Sequence, residues 1–593
     1  MMLSAFAVSL AAMTPIETTK SPNDVAPRTN CAEEMATLAA ALKAVSASHT
    51  LEQRGQLDEA ELVLRSGLEC HGQDFERDLA AAELLHDRLF NLLIERAKYE
   101  DARLLAEAWQ RRAEELARQE KGNWKAVRNA GARLGVAHLM KGEYRQADRE
   151  FPSIQSLYRL DDPRYHYFEL FRKLAKRGVR DGQGFYWDEQ AFANRVVNFT
   201  ANQHASHKEY VNYSIKLLHL LHDIEDYDNV IRLSDVLLSQ YAQSSLPLDV
   251  QYFQIVAEKA GALAALSRPE EALVLLDQAN SNLANMLPAN SPARARAALL
   301  DGKTYLLQGN TPAAEESLLQ SYRLASVIYG PTHPRVGTPV SIIAQIYLAQ
   351  RKLEVVETYV DAAEKAFATR PPGPISGYDN FLFTNIVLRF LQSDYDKVKT
   401  YSLTYGKNRS PGNLGLKRIE FINALSEIAS TILRTSSLYN TENLAHSSFR
   451  QYRYRYDFDR DAIARWWALL LEWAGDRWQE RETEDRRVFT VTRRNAYRIY
   501  GDAYRLLEEM ERPGSPDRLR LSLKMSELLA QVGYDNVGPL PYTLAKQLVE
   551  GGVDAINFTD SYDEEDLERT ALSRPVFTAA VRNLYAMSSV DGD

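Results

Sequence analysis

The stretch LGVAHLMKGEYRQADREF, residues 134–151, contains a turn between two helical patterns. Gly142 marks the turn, Tyr144 follows it, and Ala147 stands at the start of the next amphipathic segment. A small residue at such a position lets two helices approach closely, and large neighbours fill the remaining space. The stretch therefore predicts a helical hairpin with Ala147 at the contact between its helices.

The same pattern recurs at a fixed interval along the chain. Its last residue, here called the anchor, forms one column: Ala60, Ala102, Ala147, Val230, Ala272, Ala314, Val356 and Val398. Five of the seven successive spacings are 42 residues, one is 45, and the longest is 83, nearly two periods. An internal repeat of this length predicts a stack of helical hairpins, each burying its neighbour's apolar face.

These residues resemble the tetratricopeptide repeat. The matching positions are Leu134, Gly135, Gly142, Tyr144, Ala147 and Phe151, while Gly131 stands where the family has Trp. The 42-residue period and the GPTHP step at residues 330–334 resemble the kinesin light chain type. The resemblance covers about residues 40–405 and implies an all-α, right-handed α-solenoid of about nine helix-turn-helix repeats.

The GPTHP step also has a local interpretation. Gly330 supplies a left-handed residue that ends one helix, and Pro331 prevents its continuation. Thr332 or His333 caps the next helix, in which Pro334 occupies the first turn. His333 is therefore predicted to belong to a joint between repeats and not to a catalytic site.

The chain divides into three predicted parts. Residues 1–30 resemble a signal peptide and leader, with an uncharged apolar run at 3–13, although no basic residue precedes Lys20. Residues 31–405 form the solenoid, with one irregular unit at 152–205. Residues 406–593 form a divergent helical C-terminal region. The sequence contains no run of about 18 apolar residues, so no membrane-spanning helix is predicted.

Two stretches of the C-terminal region stand out. WWALLLEWAGDRW, residues 466–478, places Trp466, Leu470 and Trp473 on one helical face and is predicted to be core that covers the end of the solenoid. The alternative is a groove for a partner. RQYRYRYDFDR, residues 450–460, is predicted to be a covering loop, with a base- or sugar-stacking patch as its alternative.

The signal peptide predicts export from a bacterial cytoplasm, to the periplasm or beyond, and the alternative is a cytoplasmic protein. The only two cysteines are Cys31 and Cys70. In an exported protein they can form a disulfide, whereas in the cytoplasm they are separate thiols. The lengths of the helices between the two cysteines do not decide whether Cys31 and Cys70 can meet, so both alternatives stay open.

No catalytic motif is found. The sequence lacks H-E-x-x-H, G-x-S-x-G, a Walker loop and C-x-x-C, so we expect no enzyme activity and no cofactor. His219 and His222 are spaced as a metal pair, but no third ligand is near them in sequence, so no metal site is predicted. The net charge of −9 gives no sign of nucleic acid binding.

The concave wall of such a solenoid is built from the first helix of each unit. Counting back from the anchors predicts equivalent wall positions at Asn129, Asn212, Gln254, Arg296 and Asn380, with Lys303 and Gln345 two turns further along. Amide side chains suit the backbone of an extended peptide, and Arg296 with Lys303 can hold a carboxylate. The alternative is that each of these residues is simply an exposed polar residue that binds no partner.

The sequence therefore predicts a non-enzymatic scaffold or adaptor that binds a protein or peptide. One alternative is the non-catalytic superhelical arm of a cell-envelope enzyme, resembling the lytic transglycosylases. Another is a ligand-responsive regulator of the tetratricopeptide type. Neither a catalytic domain nor a helix-turn-helix effector domain is recognisable in the chain.

Overall fold

The computed structural model describes residues 38–71, 79–119, 124–152, 154–158, 162–179, 208–244, 248–368, 377–408, 413–435, 441–455, 463–479 and 486–508, and single residues between 517 and 528. Within this part of the chain there are 21 α-helices, one short 3-10 helix at Ile154–Ser156 and no strand. The predicted all-α solenoid of helix-turn-helix repeats is confirmed.

Eight helical hairpins are described, each made of a first and a second helix. The first helices are α1 (Leu38–Gln53), α3 (Leu79–Glu95), α5 (Trp124–Met140), α8 (Lys208–Asp223), α10 (Val250–Ala265), α12 (Pro292–Gln308), α14 (Pro334–Ala349) and α16 (Tyr378–Leu391). The second helices are α2 (Leu57–His71), α4 (Tyr99–Gln119), α6 (Tyr144–Glu150), α9 (Tyr227–Ser244), α11 (Pro269–Met286), α13 (Thr311–Tyr329), α15 (Leu353–Phe367) and α17 (Tyr395–Asn408). Every second helix begins three residues before its anchor.

All eight anchors are completely buried, with 0% of their surface exposed. The column therefore marks the point at which the two helices of each hairpin pack most closely, as the sequence predicts. Gly302 illustrates how tight the neighbouring contacts are, because a Cβ there would lie 2.5 Å from Cγ of Leu318 on the facing helix. Small residues at these contacts are a packing requirement.

The turn of every hairpin has the same backbone geometry. The residue five positions before each anchor has a positive φ: Gly55, Ala97, Gly142, Glu225, Ser267, Gly309, Arg351 and Ser393. Only three of the eight are glycine, so in five turns an L-residue occupies a conformation that costs about 1–2 kcal/mol. The packing of the helices on either side maintains this strain.

The joint at residues 330–334 forms as predicted. Gly330 has a φ of 87° after α13, and Pro334 is the first residue of α14. His333 caps α14, its Nδ1 accepting from the backbone N–H of Arg335 at 3.1 Å. Its ring also stacks on Tyr329, with 4.7 Å between ring centroids.

The irregular unit is described in part. Helix α7 (Pro163–Val179) packs between α6 and α8, where the sequence pattern is unclear. The rest of the predicted irregular unit, residues 180–205, lies outside the described residues, as does the predicted signal peptide.

The C-terminal region continues the helical stack with α18 (Asn413–Thr435), α19 (Thr441–Arg455), α20 (Ala464–Gln479) and α21 (Arg486–Glu508). The tryptophan-rich helix α20 is core, as predicted: Trp467 is 1% exposed and packs edge-on against Phe421, 5.1 Å between centroids. The predicted loop at residues 450–460 is wrong for its first part. Residues 450–455 complete α19, because Tyr452 is buried against Trp467.

One buried carboxylate ties this region to the repeats. Glu472 on α20 lies 2.8 Å from Arg351, which occupies the strained turn before α15. Arg520 and Lys524 bind the same carboxylate at 2.9 Å and 2.8 Å. Arg351, the residue with the strained backbone in this turn, therefore also binds the C-terminal region through its side chain.

We expect Ser267→Gly to raise the free energy of unfolding by about 1 kcal/mol, because glycine relieves the positive φ of an exposed turn. Urea denaturation measures the change. The matched control is Ser281→Gly, an exposed serine inside α11, which we expect to lower stability by roughly 0.5 kcal/mol. Equal losses in both variants would contradict the role assigned to the turn.

Candidate functional site

The superhelix closes on itself, so that its first hairpins touch much later ones. Gly55, in the turn of the first hairpin, lies so near Asn290 that a Cβ would be 2.2 Å from the Asn290 carbonyl oxygen. Ile328 on α13 belongs to the same core cluster as residues of α1–α9. His333 Nε2 lies 2.9 Å from the backbone oxygen of Glu95 at the end of α3. Since His333 Nδ1 accepts from a backbone N–H, Nε2 carries the proton and donates to Glu95.

A cavity of about 330 Å³ lies inside this closed superhelix and is here called the lumen. Its wall is built mainly from the first helices, from α1 through α16, and from the joint that contains His333. Eleven charged side chains line the wall together with apolar ones: Glu52, Arg88, Glu95, Lys216, Asp223, Glu225, Glu258, Arg296, Lys303, Arg335 and Asp379. The volume is that of a small-ligand site.

Five of the seven wall residues predicted from the sequence line the lumen: Asn212, Gln254, Arg296, Lys303 and Asn380. Gln345 is not among the lining residues and donates to the backbone oxygen of Asn380 at 3.3 Å. Asn129 is buried in α5, where its carbonyl accepts from Arg133 at 2.8 Å. The assignment of a wall from first helices therefore agrees with the geometry, while binding by these residues stays a prediction.

Several of the predicted residues are engaged inside the protein. Asn212 Oδ1 accepts from Gln251 Nε2 at 2.5 Å, and Asn380 Oδ1 accepts from Arg418 at 2.7 Å. Gln254 and Lys303, by contrast, make no side-chain hydrogen bond or ion pair with any described residue. These two are the predicted residues whose polar groups face the lumen unengaged.

Much of the luminal wall is formed by residues that were not predicted from the sequence. Lys216, His219 and Asp223 extend the stripe of Asn212 along α8, and Arg88, Asn91 and Glu95 form the same stripe on α3. They stand 14, 11 and 7 residues before their anchors. Those offsets continue one helical face at i, i+3 and i+7 spacing, so the columns at 14, 11 and 7 would have identified them.

A buried charge network organises one side of the lumen. Glu258 on α10, 1% exposed, accepts from Arg296 Nε at 2.8 Å and from Nη2 at 3.1 Å. Arg296 Nη1 also donates to Asp223 at 3.1 Å. The guanidinium therefore holds three neighbouring helices together, which explains why an arginine stands at this wall position.

The ionisation of this network follows from its burial. Burial alone would raise the pKa of the Glu258 carboxyl, but Arg296 and the two nearby histidines hold it well below its ordinary value. Burial lowers the pKa of His219 to about 4, and it lowers the pKa of His222 as well. At neutral pH the histidines are uncharged and Glu258 is ionised, so Arg296 is its charged partner.

His219 and His222 both approach Glu258, at 3.4 Å and 3.1 Å. Within the described part of the chain, no group of three or more His, Cys, Asp or Glu side chains is arranged to hold a metal ion. The described helices also include none that is long and apolar enough to cross a membrane.

Cys70, at the end of α2, is disulfide-bonded. Its predicted partner, Cys31, lies outside the described residues. The bridge between the two therefore stays a prediction.

No protein-family model and no curated protein matches the chain. Among solved structures, a human IFIT1 dimer with m7Gppp-AAAA is similar at 11% identity and a TM-score of 0.32, over 78% of this chain and 87% of that one. A Naa15/Naa10 complex bound to HypK-THB is similar at 12% identity and a TM-score of 0.16, over 91% and 99%. The solenoid assignment rests on the hairpins described above and not on these scores.

We expect Glu258→Gln to lower the free energy of unfolding by about 3 kcal/mol at pH 7, because Arg296, whose side chain is 21% exposed, loses its main counter-charge. Urea denaturation monitored by circular dichroism measures this change. The control is Glu271→Gln, whose ion pair with Arg268 is about half exposed and should contribute less than about 1 kcal/mol. Similar losses in the two variants would show that the luminal network is not structural.

Proposed function

We propose that this protein is a non-enzymatic scaffold or adaptor that binds a protein or peptide in the lumen of its solenoid. The observation that carries the proposal is the lumen itself, a cavity walled by polar and charged side chains from successive first helices. A repeat protein presents one such face per unit, so that a ligand contacts many units at once. The 42-residue, kinesin-light-chain type of the repeats is part of this proposal.

The composition of the wall supports a polar, directional ligand. Gln254 offers both a donor and an acceptor, and Lys303 offers a cation, with no described partner for either. Arg296 was predicted to bind a ligand carboxylate, but it is less available for this because it already donates to Glu258 and Asp223. We therefore assign recognition to the unengaged polar groups.

Affinity capture from the cell that produces the protein tests this function. The full chain should retain a defined set of proteins or peptides, and the double variant Gln254→Ala, Lys303→Met should lose that set. The control, Lys397→Met, changes an exposed lysine on α17 and should retain it. Retention of nothing, retention of nucleic acid alone, or an unchanged set with the double variant would contradict the proposal.

We further propose that the protein acts outside the cytoplasm, in the periplasm or beyond. The disulfide at Cys70 supports an oxidising compartment, where such bonds persist. Fractionation followed by thiol labelling and mass spectrometry should find the protein outside the cytoplasm with Cys31 and Cys70 unlabelled. Free, labelled thiols in a cytoplasmic fraction would contradict both export and the bridge.

A further inference from the structure

Most luminal charges are neutralised within the protein. Arg88 pairs with Glu52, and Arg296 pairs with both Glu258 and Asp223. Asp379 lies 3.7 Å from Arg418, which approaches it from outside the lumen. The charges that remain are the ones available to a ligand.

Four luminal charges have no ion pair with any described residue: Glu95, Lys216, Lys303 and Arg335. Aromatic rings give partial support to two of them. Lys216 Nζ lies 5.4 Å from the centroid of the Tyr213 ring, and Arg335 lies 5.0 Å from that of Tyr329. Arg335 Nη1 also donates to the neutral Tyr329 hydroxyl at 2.6 Å. Three cations and one carboxylate thus face the lumen without an ion pair to any described residue, although Glu95 lies within electrostatic reach of Lys216 and Arg335.

Burial without an ion pair destabilises the charged form of a lysine side chain. Burial lowers the pKa of both Lys216 and Lys303, as expected for ammonium groups that lose hydration and gain too little in return. The carboxylate of Glu95 lies among these cations, near enough for Lys216 and Arg335 to hold its pKa below its ordinary value against the effect of burial. A ligand with complementary charges would replace the missing ion pairs.

We propose, building on the function above, that the lumen binds a short peptide with a free amino terminus and more than one carboxylate, the amino terminus at Glu95 and the carboxylates at the three cations. The four luminal charges without an ion pair are the mirror of this ligand, one carboxylate against three cations. A simple anion would satisfy the cations and be repelled by Glu95. A cavity of about 330 Å³ holds a short peptide, or a short terminal segment of a longer chain.

Retention of defined peptide pools by the full chain tests the inference. The first pool contains tripeptides that each carry one Asp or Glu and both free ends. The second is the same pool with acetylated amino termini, and the third has Asn or Gln for the acids and an amidated C-terminus. After ultrafiltration, mass spectrometry measures the peptides retained by the protein, and phosphate and citrate are supplied separately as competing anions.

The free-ended acidic pool should be retained at least tenfold above a protein-free control, and both altered pools should fall to background. Glu95→Gln should abolish the difference between the free-ended and the acetylated pool. Lys216→Met should lose retention while its circular dichroism spectrum without ligand stays that of the unchanged protein, which shows that the variant is folded. The control Lys397→Met should behave as the unchanged protein.

Equal retention of acetylated and free-ended peptides would overturn the assignment to Glu95 and leave peptide binding intact. Displacement of the pool by phosphate or citrate, unaffected by Glu95→Gln, would reduce the lumen to an anion site and also overturn the inference. Retention of no pool, together with successful protein capture, would overturn the inference alone. Failure of both experiments would overturn the proposed function as well.

Discussion

The whole structure depends on the close approach of two helices at one buried position in each hairpin. The anchor is fully buried in all eight described units, and five residues earlier the chain always turns with a positive φ. Because each second helix then begins three residues before its anchor, every unit presents its faces in the same register. Five of the turns use residues other than glycine, so packing and not backbone preference sets this geometry.

The closure of the superhelix gives the concave wall its electrostatic character. Contacts such as Gly55 against Asn290 and His333 against Glu95 bring together hairpins that are far apart in sequence. An open groove would leave its charged side chains in water. The closed lumen instead removes much of that water, which makes charge pairing, as between Arg296 and Glu258, a condition of stability.

Much of the fold was predictable, and part of the candidate site. The anchors located the hairpins because a 42-residue period is visible without any partner information, and the first-helix columns led to Gln254 and Lys303. The same columns would have led to Lys216 and Glu95 had every offset along the helical face been followed. The engagement of Arg296 was not predictable, since its partners come from two neighbouring helices whose relative offset only packing defines.

The sequence by itself determined the repeat, the turn before each second helix and the capping joint at residues 330–334, because those features depend on local periodicity and turn chemistry. It also determined which helix of each unit faces inward. Only the tertiary structure decided that the solenoid closes into a lumen, that His333 contacts the end of α3, and that four luminal charges have no ion pair with any described residue. Small rotations between successive units accumulate over the whole stack, and no single stretch of sequence encodes their sum.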